Sequence, residues 1–484
     1  MIIPFDVTQP PPRPQTLEEA QAVIDALWDT LGQMQARLLE LEERLRLTSR
    51  NSSKPPSSDG PGTERRYPER QRSGRRRGGQ PGHPGVKRPL VPLEEVDQIY
   101  PCWPVERCTC GGEIKVAEAP CERHQVFELP PIRPHVIEYQ RYAGVCTGCG
   151  QRWEGALPAG VPRGQFGPGG LALMALLAGE YHLSVRQIQR LLHDVFHVEI
   201  GLGTVSQAQE PVSDALAGVV EEVQAAVRQA PVVNVDETGH RQGRLRQWLW
   251  VAVSAAQSVF RINAHRNQAA AQALLGKDFA GIVGSDRYSA YGWVDPTHRQ
   301  LCWAHLLRDF QRMAERSGPA GERGAELVAY GRVLFVLWHR WREGLLSREH
   351  FQQFMGLLRQ VVELTLTAGA HCGHPATEHT CQNLLELKEA LWTFVDTPGV
   401  DPTNNAAERA LRGPVIRRKL SFGTQSTRGN RFIERLSTAV ATCRQQGRAV
   451  LAYLREAIEA FLFGRSAPPL VPVPDSGSVP KVLL

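Results

Sequence analysis

Apolar positions recur along this chain with two helical spacings and one extended one. Leu17, Ala20, Ile24, Leu27, Leu31, Met34, Leu38, Leu41 and Leu45 step alternately by three and four, with Glu and Arg on the flanks. That is the a/d seam of a coiled coil, and it predicts a self-associating helix over 16–48. From Gly169 to Val227 the spacing is helical again. Ser184–Leu192 and then Ile200–Ser206 read as helix, turn and second helix. This predicts a helix-turn-helix-like DNA-binding region over 165–228, with a recognition helix that begins near Thr204 and carries Ser206. The pattern then changes. Pro231–Thr238 is a short β-branched run that reads as a buried strand delivering Asp236 to a sheet edge before a Gly-containing turn. Gln247–Ser254 and Ser258–Ala264 predict two further strands, Asn267–Leu275 a helix, Gly281–Asp286 a fourth strand and Arg299–Trp303 a fifth. From Leu306 to about Asp396 the chain is helical and too long for a connection, which predicts an α-helical insertion over 305–399.

Composition adds what periodicity omits. Residues 49–95 are rich in Ser, Pro, Gly and Arg and cannot bury enough surface to fold alone, so a disordered basic linker is expected there. Nine Arg or Lys fall between Glu64 and Arg88 against two Glu, although the formal charge of the whole chain is only +6. A basic stretch confined in this way points to a polyanion, with Arg75, Arg76 and Arg77 lying along phosphates or in a minor groove. The Pro-rich stretch 466–484 is expected to be a disordered tail. No apolar run reaches eighteen residues and no secretory h-region follows Met1, which predicts a cytoplasmic, nucleoid-associated protein with no membrane partner.

Six of the ten cysteines lie between Cys102 and Cys149. Cys146-Thr-Gly-Cys149-Gly is a good zinc knuckle, two thiolates with a glycine behind them. Its partner pair is less regular: Cys108-Thr-Cys110 has one residue between the sulfurs, and Cys102, Cys121 or His124 could join instead. A structural Zn²⁺ site of four thiolates, Cys108, Cys110, Cys146 and Cys149, is expected in a zinc-binding domain over 96–160.

The catalytic reading rests on three acids. Asp236 and Asp286 close the first and fourth expected strands. Beyond the insertion, Asn404 or Asn405 can cap a helix in which Glu408 lies about one turn inside. Singly each acid has an ordinary explanation: a strand cap, a turn residue, a partner of Arg412 at i+4. Together, strand-strand-strand-helix-strand and then a helix is the order of a ribonuclease-H-like core over 229–304 and 400–465. Three carboxylates so placed can hold two Mg²⁺ or Mn²⁺ ions for an in-line phosphoryl displacement. Arg412, Arg417, Arg418 and Lys419, just downstream, are candidates for contacts with DNA phosphates.

Several stretches carry a resemblance to a known family: Asn51–Asp59, Gly79–His83, Glu128–Pro131, Cys146–Cys149, Val235–Thr238, Ser285–Tyr291 and Asn404–Arg409. Over nearly its whole length the chain resembles transposases of the insertion-sequence-66 type, within the DDE transposases. The resemblance implies a ribonuclease-H-like domain with Asp236, Asp286 and Glu408 as metal ligands. It also implies cleavage at the element's terminal inverted repeats, joining of the freed 3′-hydroxyls to target DNA, and accessory proteins from the same element. Cys302-Trp-Ala-His305 is similar to a C-x-x-H signature of related transposases, and Cys302 and His305, like Asn404 and Asn405, are expected to support the site. The alternatives are a nuclease without strand transfer and a zinc-containing DNA-binding protein that keeps the fold.

Overall fold

The structure, a computed structural model, describes residues 89–471. The seam at 16–48, the linker as far as residue 88 with Arg75, Arg76 and Arg77, and the tail beyond 471 lie outside the described residues. Two compact units divide at Pro134 and His135, inside the span expected for one zinc-binding domain. No residue of 96–160 is buried, so neither part of that span has an apolar core of its own.

In the smaller unit the Val91 carbonyl accepts hydrogen bonds from Arg123 and Gln125, and an isolated bridge between Arg107 and Glu113 encloses Cys108 and Cys110. The larger unit begins with a two-stranded hairpin, β1 (Ala143–Val145) and β2 (Arg152–Glu154). Five helices follow: α1 (Pro168–Gly179), α2 (Val185–Phe196), α3 (Leu202–Gln207), α4 (Gln209–Ala215) and α5 (Ala217–Arg228). Ser184 and Gln187 form a reciprocal capping box at the start of α2. The helix expected to begin near Thr204 starts instead at Leu202, behind Gly201, and is six residues long with Thr204 and Ser206 half-buried. Val205 packs into the same apolar core as the sheet, and that tertiary contact fixes the start of α3.

The sheet is mixed and five-stranded: β3 (Val232–Gln242), β4 (Leu245–Val253), β5 (Ser258–Asn263), β6 (Ile282–Ser285) and β7 (Arg299–Leu301), in the order β5-β4-β3-β6-β7. β3, β4 and β5 are antiparallel; β6 and β7 run parallel to β3. α6 (Gln268–Leu275), capped by Asn267, crosses from β5 to β6. β3 does not stop at Asp236, as its sequence suggests. Antiparallel pairing carries it to Gln242 opposite Leu245, whereas β6 pairs with it only as far as Asn234. Asp236 therefore belongs to a continuous strand but lies past the end of its parallel neighbour.

Helices α7 (Trp303–Ala314), α8 (Pro319–Arg342), α9 (Arg348–Gly369), α10 (Pro375–Glu386) and α11 (Thr393–Asp396) build a second core on the β7 edge. That edge is covered rather than exposed. Thr393 Oγ1 donates to Arg299 O at 2.7 Å, and Phe394 N to Gln300 Oε1 at 2.8 Å. α7 and α8 touch through their backbones at Gly324, where a Cβ would lie 2.2 Å from Ala314 N and 2.5 Å from Met313 C. Gly324→Ala is expected to cost about 1–3 kcal/mol, because neither helix can yield without breaking its packing. A shift in the urea midpoint at unchanged m-value checks this; a midpoint equal to wild type would mean that the helices separate freely.

The chain returns to the sheet with α12 (Asn405–Ser421), α13 (Thr427–Gln445) and α14 (Val450–Leu462). α13 caps β5, with Thr438 and Thr442 hydroxyls accepting from Phe260 N and Ser258 N. Ala467–Val471, expected at the head of a disordered tail, instead packs on the main core. Leu470 is buried, and Gln446 Nε2 donates to its carbonyl. Among the described residues no helix is long and apolar enough to cross a membrane.

Candidate active site

Alternation along β3 sorts its side chains. Asp236 pairs with Val251 and Thr238 with Leu249, both in the small apolar cluster that Ala407 and Leu411 of α12 complete. Val235 and Trp250 point to the opposite face and join the main core. Asp236 and Thr238 thus share the face that α12 covers, and Glu237 lies on the other. Register does the rest. Asn234 pairs with Gly284, so Asp236 follows two residues further along β3 while Asp286 lies in the loop that leaves the end of the parallel strand β6.

Asn404 sets the start of α12. Its Nδ2 donates to Val235 O at 2.7 Å, its backbone N–H points at Cys302 Sγ at 3.2 Å, and its carbonyl accepts from Glu408 N at 3.2 Å. It occupies the cap position without making a side-chain cap bond: its Nδ2 is held by the strand carbonyl, and its Oδ1 accepts from none of the helix N–H groups. Asn405 is the first residue of the helix. The Asn404 Oδ1 and His305 Nδ1 are both buried with no hydrogen bond among the described residues, although His305 Nδ1 lies 3.5 Å from Glu408 Oε1. Cys302, His305 and Glu408 bring one donor atom each within 4.8 Å of one another; Asp236 and Asp286 stand outside that cluster.

Electrostatics single out Asp236. Burial, then the neighbouring Glu237, then Asp286 and Glu408 push its carboxyl from 3.8 up to about 8, against the Glu237 N–H that it accepts at 2.8 Å. An acid held in this way is one that a divalent cation would relieve. Oxygen donors from three carboxylates are what Mg²⁺ or Mn²⁺ takes, so the residues present fit a hard divalent ion. Burial lowers the His305 imidazole pKa and raises that of the Cys302 thiol, leaving a neutral nitrogen and a thiol beside Glu408.

Sequence reasoning missed the layer that holds these groups. Glu237 is buried and accepts from Arg266 (Nε 2.8 Å, Nη2 2.6 Å) and from the Tyr291 hydroxyl. Arg266 also stacks 3.9 Å over the Tyr288 ring, and the Tyr288 hydroxyl donates to Arg266 O. Tyr288 N donates to Asp286 Oδ1 at 3.0 Å, and buried Arg299 donates to Asp286 O at 2.8 Å and to Ser285 Oγ. The pair Tyr288 and Tyr291 lies in a stretch that the sequence had marked; nothing local marks Arg266 or Arg299.

The candidate phosphate contacts divide. Arg412 and Lys419 are exposed on α12, whereas Arg418 is committed to Thr238 Oγ1 at 2.9 Å and to Gly239 O, and Arg417 is half-buried. Each cysteine pair forms a tight turn closed by a glycine of positive φ. Gly111 N donates to Cys108 O, and Gly150 N to Cys146 O, both at 2.8 Å. Hydrogen bonds from Cys110 lower the Cys108 thiol pKa, and those from Cys149 and Gly148 lower that of the Cys146 thiol.

Comparison with known proteins adds family membership. Residues 9–89 match a family of unknown function (DUF6444). A protein of Sinorhizobium fredii (strain NBRC 101917 / NGR234), described as uncharacterized protein y4qI, is 26% identical over 205 residues, which is 38% of this chain and 37% of that one. The chain thus aligns with little more than a third of that relative's length. Residues 163–431 match the family described as Transposase IS66 family. That span takes in the sheet, all three acids and more than half of the chain, and the protein therefore belongs to the transposase IS66 family.

Proposed function

We propose that the protein is a DNA transposase that binds the terminal inverted repeats of its element, cuts the DNA and joins the 3′-hydroxyl ends to target DNA. The observation that carries this is Asp236 in β3 and Asp286 just past the end of the adjacent parallel strand β6, with Glu408 on the helix that Asn404 pins to Val235. The strand order β5-β4-β3-β6-β7 supports reading the core as ribonuclease-H-like. Asp236, Asp286 and Glu408 would hold the ions. Bound there, two Mg²⁺ or Mn²⁺ supply an activated oxygen nucleophile and stabilise the leaving oxygen of an in-line displacement.

The protein's own groups do the positioning. Arg299 and Tyr288 fix the Asp286 backbone and carboxylate, and the Arg266–Glu237 pair sits behind Asp236. His305, whose imidazole pKa burial lowers, lies 3.5 Å from Glu408 and would support it there. Arg412 and Lys419 are left to meet phosphates. A structural Zn²⁺ held by cysteine thiolates would organise a span that buries no side chain of its own. Self-association through 16–48, DNA contact by Arg75–Arg77 and by Thr204 and Ser206, and accessory proteins of the element complete the proposal.

The test is incubation of the purified chain with Mg²⁺ and the DNA that brackets its own gene, with nicks and joined products mapped by sequencing. Nicks at repeat ends and joined molecules are expected, and Asp286→Ala and Glu408→Ala should abolish both while leaving DNA binding within about threefold. Nicking without joined products would mean a nuclease. Binding without Mg²⁺-dependent cleavage would mean a DNA-binding protein.

A further inference from the structure

The turn between β3 and β4 and the end of α12 border an open cavity of about 350 Å³ that the acid site does not use. It is lined by Gly239, His240, Arg241, Arg246, Arg418 and Phe422. Its lining thus includes three arginines, a histidine and a phenylalanine, and no acidic residue. Arg241 and Arg246 are exposed and have no carboxylate partner among the described residues; Arg246 rests instead on the Trp248 ring at 4.9 Å. Arg418, tied to Thr238 and Gly239, forms the floor.

Phe422 is the informative residue. It ends α12 with φ +58°, in the left-handed region where helices usually place Gly or Asn, and its side chain is left 77% exposed. Both choices work against folding, and such outliers cluster where a ligand is gripped. The loop behind the ring is held rigidly. Thr424 N donates to Arg241 O at 2.9 Å, Gly243 N donates to Thr424 O at 2.7 Å, and Thr424 Oγ1 and His240 Nε2 share Asn430 Oδ1. Gly423 lies so close to the hairpin that a Cβ would fall 2.2 Å from Arg241 O. Phe422 is therefore presented, not merely frayed.

We propose that this cavity holds one unpaired nucleotide of a DNA strand, its base stacked on Phe422 and its phosphate held by Arg241 and Arg246. An exposed ring beside free guanidinium groups fits an unpaired base better than a duplex, because a duplex offers its backbone to arginines and no base face to a ring. The position agrees. Gly239 and His240 are three and four residues beyond Asp236 on β3, about 10–13 Å at the rise of a strand, so a strand engaged at the acids runs within reach of the ring. This rests on the transposase reading and adds to it a strand-separated end.

The test needs neither metal nor cleavage, so it can fail or succeed independently of that reading. Binding of a short fluorescein-labelled oligo(dT), and of a duplex of the same length, is measured by anisotropy over a salt series with the full chain. Phe422→Asn is expected to weaken oligo(dT) binding about tenfold, the loss of one stacked base. Its thermal midpoint should rise, since Asn suits the left-handed turn. Phe422→Tyr should restore binding, and Arg246→Ala should lower the salt slope by about one. Duplex binding should change less than about twofold in both Phe422 variants. Unchanged oligo(dT) binding by Phe422→Asn, or an equal loss on duplex, would overturn the proposal even if the protein cuts and joins DNA normally.

Discussion

Asp236→Asn is expected to raise the thermal midpoint of the metal-free protein at pH 8 by a few degrees, while lowering Mg²⁺-dependent strand cleavage by about 10³-fold or more. The two effects share one cause. The native carboxyl titrates near 8 and the unfolded one near 3.8, because burial and the charges of Glu237, Asp286 and Glu408 oppose ionisation in the fold. A carboxyl raised in this way costs the folded state nothing below pH 4, where it is protonated in both states. The cost grows as the unfolded chain sheds its proton, and it is complete above about pH 8. The stability gap between variant and wild type should therefore open between pH 4 and pH 8. Asparagine keeps the shape and can still accept the Glu237 N–H. Added Mg²⁺ should close the gap for wild type, since a cation relieves the repulsion that the amide has already removed. Melting curves across pH, with and without Mg²⁺, decide it; parallel curves for the two proteins would show that Asp236 ionises freely.

Arg266→Met should be the most destabilising single change near the site, at about 3–5 kcal/mol. The Glu237 side chain is 1% exposed, and Arg266 supplies its charge partner through two nitrogens. Methionine fills much of the space but leaves the carboxylate with only the Tyr291 hydroxyl. Burial already raises the Glu237 carboxyl, and losing the guanidinium raises it further. The cost is thus largest at high pH and shrinks as acid protonates the group. A denaturant midpoint at pH 8 well below wild type, recovering in part at pH 5, is the expected result. Equal losses at both values would mean that Arg266 matters through packing on Tyr288 and Trp248, over which it also stacks.

The strands were legible where the run is mostly apolar, because Val232, Val233 and Val235, Trp248–Val253, and Ile282 and Val283 signal burial by composition alone. The second half of β3 was not. Thr238–Gln242 is polar because Asn430, Thr424 and Arg418 from distant helices supply its partners, and no local pattern announces them. The start of α12 was readable from Asn404-Asn405, but the reason was different from capping. Asn404 reaches a strand carbonyl across the sheet, which only register can bring near. For the same reason Arg299 and Arg266 were invisible: each acts on a loop or strand remote in sequence. The cysteine turns, being local, were readable, including the irregular spacing of the first, which still closes on Gly111.

The two ends of the helical insertion are stitched together at the acid site: Trp303 N donates to Pro402 O and Asn404 N to Cys302 Sγ. This has a temporal consequence. A chain emerging from the ribosome carries Asp236 and Asp286 early but reaches Glu408 only after the insertion, a lag of roughly ten seconds at ordinary elongation rates. Since α12 docks on a seam that the insertion must first close, the nascent protein has two of the three acids and no means of using them. On the proposed function, competence to cut DNA would arrive only with the last sixth of the chain, from Glu408 onward.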